Sequence, residues 1–416
     1  MTAPPDRSTS ARRPLLQRKH AKRALVNVGG AVETAGEESV ARGLARALTI
    51  RPGERDATLT HPFHADPARL HPEVTRALLS VAKVDRGAAV LDPFCGSGTV
   101  LIEAMAAGYT ALGRDLSPFA VELASLKTRL TSARERGLMI DTTSRVTRLA
   151  KTRVREQRRA PVPRGEERWF APYTLAEVAA LAEEIRPLEG GFVRDALRML
   201  LSSIVVKVSL QASDSDTRLV RKSVAPGAAL RFFEHKSHEL ARCLAALAGT
   251  VARGTARADV RVDDAAVLAT VPDGVARAIV TSPPYANTYD YALQHARRYA
   301  WLGLDASGMS AGEIGAARWF EVPEAGVVRF RRELGAMCRS FARVLAPGGL
   351  ALVGRADGAA GSEPVRADRM LREAAEAEGL KFAARASQER KTFDTDSTRA
   401  FARQPKREHV IALTRT

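Results

Sequence analysis

Residues 88–99 read Ala-Ala-Val-Leu-Asp-Pro-Phe-Cys-Gly-Ser-Gly-Thr, and this stretch decides the fold. The apolar run from Ala88 to Leu91 ends in the carboxylate of Asp92, turns through Pro93, Gly96 and Gly98, and enters helically spaced apolar residues at Thr99. That order reads as a strand, a tight loop and a helix. Glycines let the backbone of such a turn approach a ligand where a side chain would collide. The amides that open the following helix would face the same ligand. A turn that only reverses the chain can also use two glycines, so the rest of the sequence has to separate the two readings.

Downstream, Val100 to Ala107 continues the helical spacing and stops at Gly108, where glycine suits a helix terminus. Tyr109 to Asp115 then reads as a second strand ending in a carboxylate. Asp115 stands 17 residues beyond Gly98. An acidic side chain at about this distance in a βαβ unit meets ribose hydroxyls, because a carboxylate accepts two hydrogen bonds from the diol. Asp115 could instead cap the helix that starts at Ser117-Pro118. Upstream, His61 to Pro72 precedes an amphipathic helix from Glu73 to about Val81, with Pro72 at a position proline tolerates. No cysteine or carboxylate cluster joins His61 and His64, so the sequence predicts no metal site there.

The chain has 416 residues, enough for two or three average domains or one enlarged by an insertion. Hydrophobic residues at 45% can fill a sizeable core. With 64 Lys and Arg against 47 Asp and Glu the formal charge is +17, which favours an anionic partner such as nucleic acid. Cys95, Cys243 and Cys338 lie far apart without paired spacing, which argues against a zinc site or a disulfide framework and fits a reducing cytoplasm. The basic segment Met1 to Arg23 lacks an apolar signal core, and no apolar run is long enough to cross a bilayer. No membrane association is expected.

Residues 1–23 read as a mobile basic arm, either solvated or touching phosphates. Ala24 to Arg51 becomes helical in places, through Val40, Leu44 and Leu48. From about Ala120 to Ala258 strand signals fade and helical patterns dominate. Within this stretch Arg145, Arg148, Lys151, Arg153, Arg155, Arg158, Arg159, Arg164 and Arg168 lead directly into Trp169-Phe170 and Tyr173. Cations beside aromatic faces can hold phosphates and unstacked bases, and they can equally be solvated helix faces. Ser209 to Lys222 reads as a polar loop between helices and is a second substrate-facing candidate.

The strand Ala278-Ile279-Val280 runs straight into Thr281-Ser282-Pro283-Pro284-Tyr285. Together with Asp92-Pro93-Phe94-Cys95-Gly96-Ser97-Gly98-Thr99, this string resembles the motifs of amino-directed, S-adenosylmethionine-dependent methyltransferases, which act on exocyclic amines of bases. The resemblance implies that Asp92, Phe94, Gly96, Gly98 and Thr99 bind the cofactor. It also implies that Asp115 meets the ribose and that Asp264, with Asp263 as the fallback, lies near the adenine. Ser282, Pro283, Pro284 and Tyr285 would be catalytic. The amine is a poor nucleophile because its lone pair is delocalised into the ring. Ser282 Oγ and the Pro283 carbonyl could draw it toward tetrahedral geometry, and Tyr285 would stack on a base taken out of its duplex. Proline rigidity holds the carbonyl in place beforehand. Asn287 and Tyr289 either line the base pocket or begin the next helix.

The expected architecture is an α/β, class I methyltransferase Rossmann-like fold with a mainly parallel seven-strand sheet, interrupted by a helical insertion between its second and third strands. Its parts are residues 24–119 and 259–416 as the two portions of the methyltransferase core, and 120–258 as the insertion and candidate substrate-recognition region. Phe341 to Leu345, Pro347-Gly348-Gly349 and the strand Leu350 to Gly354 would form the fifth-strand region, with His409 to Leu413 closing the sheet. The form Ser-Pro-Pro-Tyr implies methylation of cytosine-N4 in DNA, with a restriction endonuclease as a candidate partner. RNA guanine-N2 or adenine-N6, or DNA adenine-N6, is the alternative, and a non-catalytic nucleic-acid-binding protein with a methylase fold is the second.

Overall fold

The computed structural model describes residues 30–50, 58–64, 69–392 and 395–416. The expected basic arm, 1–23, lies outside the described residues. The described residues begin with strand β1 (Val32–Gly36), helices α1 (Glu38–Thr49) and α2 (Pro72–Ala82), β2 (Ala89–Asp92), α3 (Thr99–Ala106), β3 (Thr110–Asp115) and α4 (Pro118–Lys127). Helices α5 (Ala133–Arg155), α6 (Pro172–Ile185) and α7 (Phe192–Val208) follow, then a hairpin of β4 (Gln211–Ser213) and β5 (Asp216–Leu219), and α8 (Ala228–Thr250). The chain returns to the sheet with β6 (Asp259–Val262) and β7 (Ala276–Thr281), crosses α9 (Tyr291–Gln294), α10 (Ala296–Leu302), α11 (Ser307–Gly312) and α12 (Pro323–Val344), and enters β8 (Leu345–Ala356). A small pair, β9 (Gly358–Ala360) and β10 (Glu363–Val365), precedes α13 (Ala367–Ala377), β11 (Leu380–Arg390), α14 (Thr395–Ala400) and β12 (Lys406–Arg415).

The main sheet has the order β1-β11-β12-β8-β7-β2-β3-β6. The five strands from β8 to β6 are parallel, whereas β12 runs antiparallel to both β8 and β11. This is the expected class I arrangement, with the insertion between β3 and β6. It contains eight strands rather than seven. The additional edge strand β1 pairs Val32 with Gln388 through Gly36 with Ala384. Most of its residues are exposed, so no alternation of apolar side chains announced it, and backbone pairing places it there.

Central strands β2 and β7 carry Val90, Leu91, Ala278, Ile279 and Val280 fully buried, as parallel strands covered on both faces require. Helix α2 starts at Pro72, its cap His71 accepts a hydrogen bond from Glu73 N at 3.3 Å, and it buries Val74, Leu78 and Val81 on one stripe. Helix α4 is capped by Ser117, which accepts from Ala120 N. This helix packs on β3 and β6 and therefore belongs to the sheet layer, so the helical excursion begins after it rather than at residue 120. Helix α5 opens with a capping box in which Ser132 and Glu135 satisfy each other's backbone amides. Helices α5 to α8 share one apolar core with Phe119 and Leu123 of α4 and with Tyr299, Trp301 and Leu302 of α10, so the insertion is fused to the sheet.

Two local expectations are corrected. Ser209 to Lys222 contains the β4–β5 hairpin, turning through Asp214-Ser215, where a plain loop was expected. Pro347-Gly348-Gly349 lies within β8 as an irregularity between the pairs Ala276–Leu345 and Ala278–Leu350, because the extra residues are absorbed in the ladder. Among the described residues no helix is long and apolar enough to cross a membrane.

Gly98 has φ +81°, and an added Cβ would meet Ala124 Cβ at 3.2 Å, so it lets α3 begin against α4. Gly98→Ala is expected to lower the free energy of unfolding by about 1–2 kcal/mol in urea titrations. Gly137 lies inside α5 with open space around the position of a Cβ. Gly137→Ala should raise stability by about 0.5–1 kcal/mol in the same assay.

Candidate active site

Strands β2 and β7 are neighbours, pairing Val90 with Ala278 and Leu91 with Ile279, so the loops leaving their carboxyl ends stand side by side. A cavity opens there, at the position where open α/β sheets bind ligands. Asp92, Phe94, Gly96, Ser97 and Thr99 line it from the glycine loop, Asp115 and Leu116 from the end of β3, Asp264 and Ala265 from the end of β6, and Ser282 and Pro284 from the loop after β7. Two motifs far apart along the chain thus face one space.

Asp92 is the joint between them. Its Oδ1 accepts from Phe94 N at 3.1 Å and from Thr281 Oγ1 at 2.7 Å, which ties the glycine loop to the residue before Ser282. Burial pushes its carboxyl up to about 7, against the lowering effect of those two hydrogen bonds. Of the two readings of Asp115, the structure shows the local, bracing one: Oδ2 accepts from Gly96 N at 2.8 Å and Oδ1 from Ser117 N at 2.9 Å, just ahead of α4. The carboxylate fixes the loop and the start of α4 while its side chain lines the cavity. Buried Arg114 braces the same strand end through Asp259 and Thr270. Asp264 lines the cavity, whereas Asp263 is consumed in hydrogen bonds from Asp264 N, Ala269 N and Thr270, which removes the fallback assignment.

Gly96 has φ +48°, and an added Cβ would meet no protein atom outside its chain neighbours closer than 3.9 Å, so this wall of the cavity is bare backbone. Ser97 Oγ and Thr99 Oγ1 are buried without a protein partner at the start of α3, where hydroxyls and helix amides together suit an anionic group. Carboxylates at the ends of three parallel strands, the apolar walls Phe94, Leu116 and Phe119, and those orphaned hydroxyls fit a zwitterionic amino acid joined to a nucleoside. Gly98 does not line the cavity; its place is the packing contact with α4.

The catalytic string divides. Ser282 and Pro284 line the cavity, and Pro283 and Tyr285 do not. Tyr285 was expected to stack on a base. Its ring is instead drawn toward the antiparallel side of the sheet, because its hydroxyl donates to Glu408 Oε1 on β12 at 3.1 Å, while Arg390 Nη1 on β11 donates to Glu408 Oε2 at 2.7 Å. The Tyr285 hydroxyl also bonds the Ser282 side chain. Since its one proton goes to Glu408, Ser282 must donate to it, which turns the Ser282 lone pairs elsewhere. Burial raises both the Tyr285 hydroxyl and the Glu408 carboxyl above their ordinary values. Arg355, fully buried on β8, directs Nη2 at the Pro284 carbonyl, 3.5 Å away.

The segment from 291 to 314 supplies a wall that no motif marked: Tyr291, His295, Met309, Gly312, Glu313 and Ile314. Tyr299 on α10 and Ser117 share a 2.6 Å hydrogen bond that holds this segment against α4. Glu313 accepts from Tyr291 N and from Arg318, and burial raises its carboxyl. Burial, with Arg298 beside it, pushes His295 down to about 3, so its ring is a neutral hydrogen-bonding surface. Asn287 is not in the cavity; it donates to Ala359 O at 2.9 Å. His61 and His64 are engaged with Glu103 and Ser202. Asp357, Asp368 and His409 bring ligand atoms within 4.8 Å of one another, but the two carboxylates already accept from Arg366, Arg385 and backbone amides.

Asp92 gives a pH signature. Between about pH 4 and about pH 7 the unfolded chain has ionised this carboxyl and the native chain has not, so native stability falls as pH rises through that window and levels off above it. In chemical denaturation the stability of wild type relative to Asp92→Asn should decline across this interval, by on the order of a few kcal/mol. A difference independent of pH would show that Asp92 is not held neutral.

Residues 62–161 match the family described as UPF0020, RMKL-like, methyltransferase domain. A 54-residue stretch is 44% identical to tRNA (guanine(10)-N2)-dimethyltransferase of Methanocaldococcus jannaschii; it covers 13% of this chain and 15% of the relative, so the chain spans a small part of that protein's length. Among solved structures, TrmN of Thermus thermophilus is similar with TM-score 0.36 and 14% identity over 89% of this chain and 55% of that one. The rRNA methyltransferase aviRa of Streptomyces viridochromogenes has TM-score 0.34 and 13% identity over 88% and 94%. The description of the matched family and the name of the tRNA relative do not carry the DNA cytosine-N4 specialisation expected from Ser282. With its sheet order and its matched segment, the chain carries a class I methyltransferase domain, and its cofactor is S-adenosylmethionine.

Proposed function

We propose that this protein transfers a methyl group to the N2 amine of guanine in RNA. The observation that carries a methyl transfer is the shared cavity of the glycine loop and the Ser282 loop, tied together at Asp92. The choice of RNA and of guanine-N2 rests on the short relative that is 44% identical and whose name states that reaction. A second reading, cytosine-N4 in DNA, is favoured by the serine at position 282.

S-adenosylmethionine supplies an activated methyl on a sulfonium. When it is bound, Ser97, Thr99 and the start of α3 would hold its carboxylate, Asp115 its ribose, and Asp264 with Leu116 and Phe119 its adenine. Phe94 and Tyr291 offer aromatic faces to the extruded base. Ser282 Oγ would accept a hydrogen bond from the amine, which pulls the nitrogen out of conjugation and localises its lone pair for in-line attack; Pro283, outside the cavity, holds the loop rigid rather than touching the amine. Tyr285, held by Glu408 and Arg390, orients Ser282 rather than touching the base. Thr281, bonded to Asp92, ties the position of this acceptor to the glycine loop.

The test is transfer of tritiated methyl into transfer RNA transcripts made with guanosine or with inosine, which lacks the N2 amine, and into cytosine-containing DNA. Incorporation into the guanosine transcript, lost on inosine replacement, is the expected result; label in DNA cytosine with none in RNA would establish the second reading instead. Ser282→Ala should lower kcat about a hundredfold with little change in cofactor affinity. Tyr285→Phe should lower kcat about three- to tenfold, the loss of one orienting hydrogen bond, and leave KM for the cofactor unchanged.

A further inference from the structure

The β4–β5 hairpin is unaccounted for by the cofactor site, and its attachments lead to the cavity wall. Asp214 at its turn pairs with the buried Arg298, whose Nη1 lies 3.2 Å from Nδ1 of His295, a cavity-lining residue. Strand β5 packs on α9, which carries Tyr291 of the same wall. At the hairpin's base Leu210 N donates to the Trp169 carbonyl at 2.7 Å. The Trp169 ring is in turn covered by Arg297 at 3.6 Å, with exposed Arg168 at 5.3 Å. The hairpin and the end of the basic segment 145–168 are therefore one rim joined to the mouth of the cavity.

That rim presents a particular surface. Leu219 on β5 is 57% exposed and Leu293 on α9 is 55% exposed, both high for large aliphatic side chains. Exposed Arg218 and Arg221 flank Leu219, and Arg168 lies beyond Trp169. Arg218 is paired with Asp216, but a solvent-exposed pair of this kind is weak and a phosphate can compete for it. Apolar side chains between arginines suit a strand that alternates flat bases with phosphates better than they suit a protein partner or bulk water.

We infer that the β4–β5 hairpin grips the RNA strand next to the target nucleotide, with Arg218 and Arg221 on phosphates and Leu219 against the base that flanks the one extruded. The choice of RNA rests on the function proposed above; the surface itself does not. The hairpin's fixed link to His295 through Asp214 and Arg298 sets the distance between the gripped strand and the cavity, so it positions the target as well as binding it.

The experiment measures binding of a fluorescein-labelled transfer RNA transcript by anisotropy across a salt series, with the full chain as wild type, Arg218→Gln/Arg221→Gln and Leu219→Ala. S-adenosylmethionine binding by calorimetry confirms that each variant keeps its fold. The double variant is expected to bind RNA about tenfold more weakly, and its slope of log affinity against log salt should be shallower by about 1.4, because two phosphates of a single strand are no longer neutralised. Leu219→Ala should weaken binding without changing the slope. Affinity and slope equal to wild type in the double variant would overturn the proposal. If the double variant misfolds, Arg221→Gln alone, with a slope reduced by about 0.7, decides in the same way. The expected weakening of RNA binding without any methyl transferred to RNA would uphold the hairpin and remove the guanine-N2 reading. Tighter binding of a DNA duplex that depends on the same arginines would overturn the assignment to RNA.

Discussion

The hydrogen bond from Thr281 to Asp92 is the constraint on which the site depends. It is available because β2 and β7 are adjacent parallel strands that end at the same level, so the last residue of one and the last residue of the other are within reach. A buried carboxyl accepting from a hydroxyl and a backbone amide in a low-dielectric interior is held firmly, and loss of the hydroxyl would leave it one hydrogen bond short. Because the two loops share this acceptor, each fixes the position of the other.

Around that joint the structure divides its labour by layer. The parallel half of the sheet presents carboxylates at its strand ends, each partly used in bracing its own loop, as Asp115 braces Gly96. The antiparallel half supplies Glu408 and Arg390, which hold Tyr285 at the end of the Ser282 loop. The insertion contributes through its fused apolar core, since α10 belongs both to that core and, through Tyr299 and Ser117, to the cavity wall. A region that could have been a separate appendage is mechanically part of the site.

What could be read from the sequence was local. The glycine loop, Asp115, Asp264 and Ser282 are each marked by a strand end and a turn within a few residues, and all of them line the cavity. The role of Tyr285 was not legible, because its partner Glu408 lies 123 residues away on a strand whose sequence shows only apolar character nearby. The wall from Tyr291 to Ile314 was missed for a related reason: it is built of short helices with no repeated spacing, and the cluster Tyr289, Tyr291 and His295 just after the catalytic string was its one outward sign. The edge strand β1 lacks an apolar face, and the β4–β5 hairpin is too short and polar to produce an alternating pattern.

The central claim is that one cavity, built by the glycine loop and the Ser282 loop together, receives the cofactor. Ultraviolet cross-linking of methyl-tritiated S-adenosylmethionine to the full chain, followed by peptide mapping, tests it most directly. The account predicts label in peptides carrying the glycine loop and the end of β3, residues 94–119, and in those carrying Ser282, all suppressed by excess S-adenosylhomocysteine. Label confined to peptides of α5 to α8, or undiminished by the competitor, would contradict it.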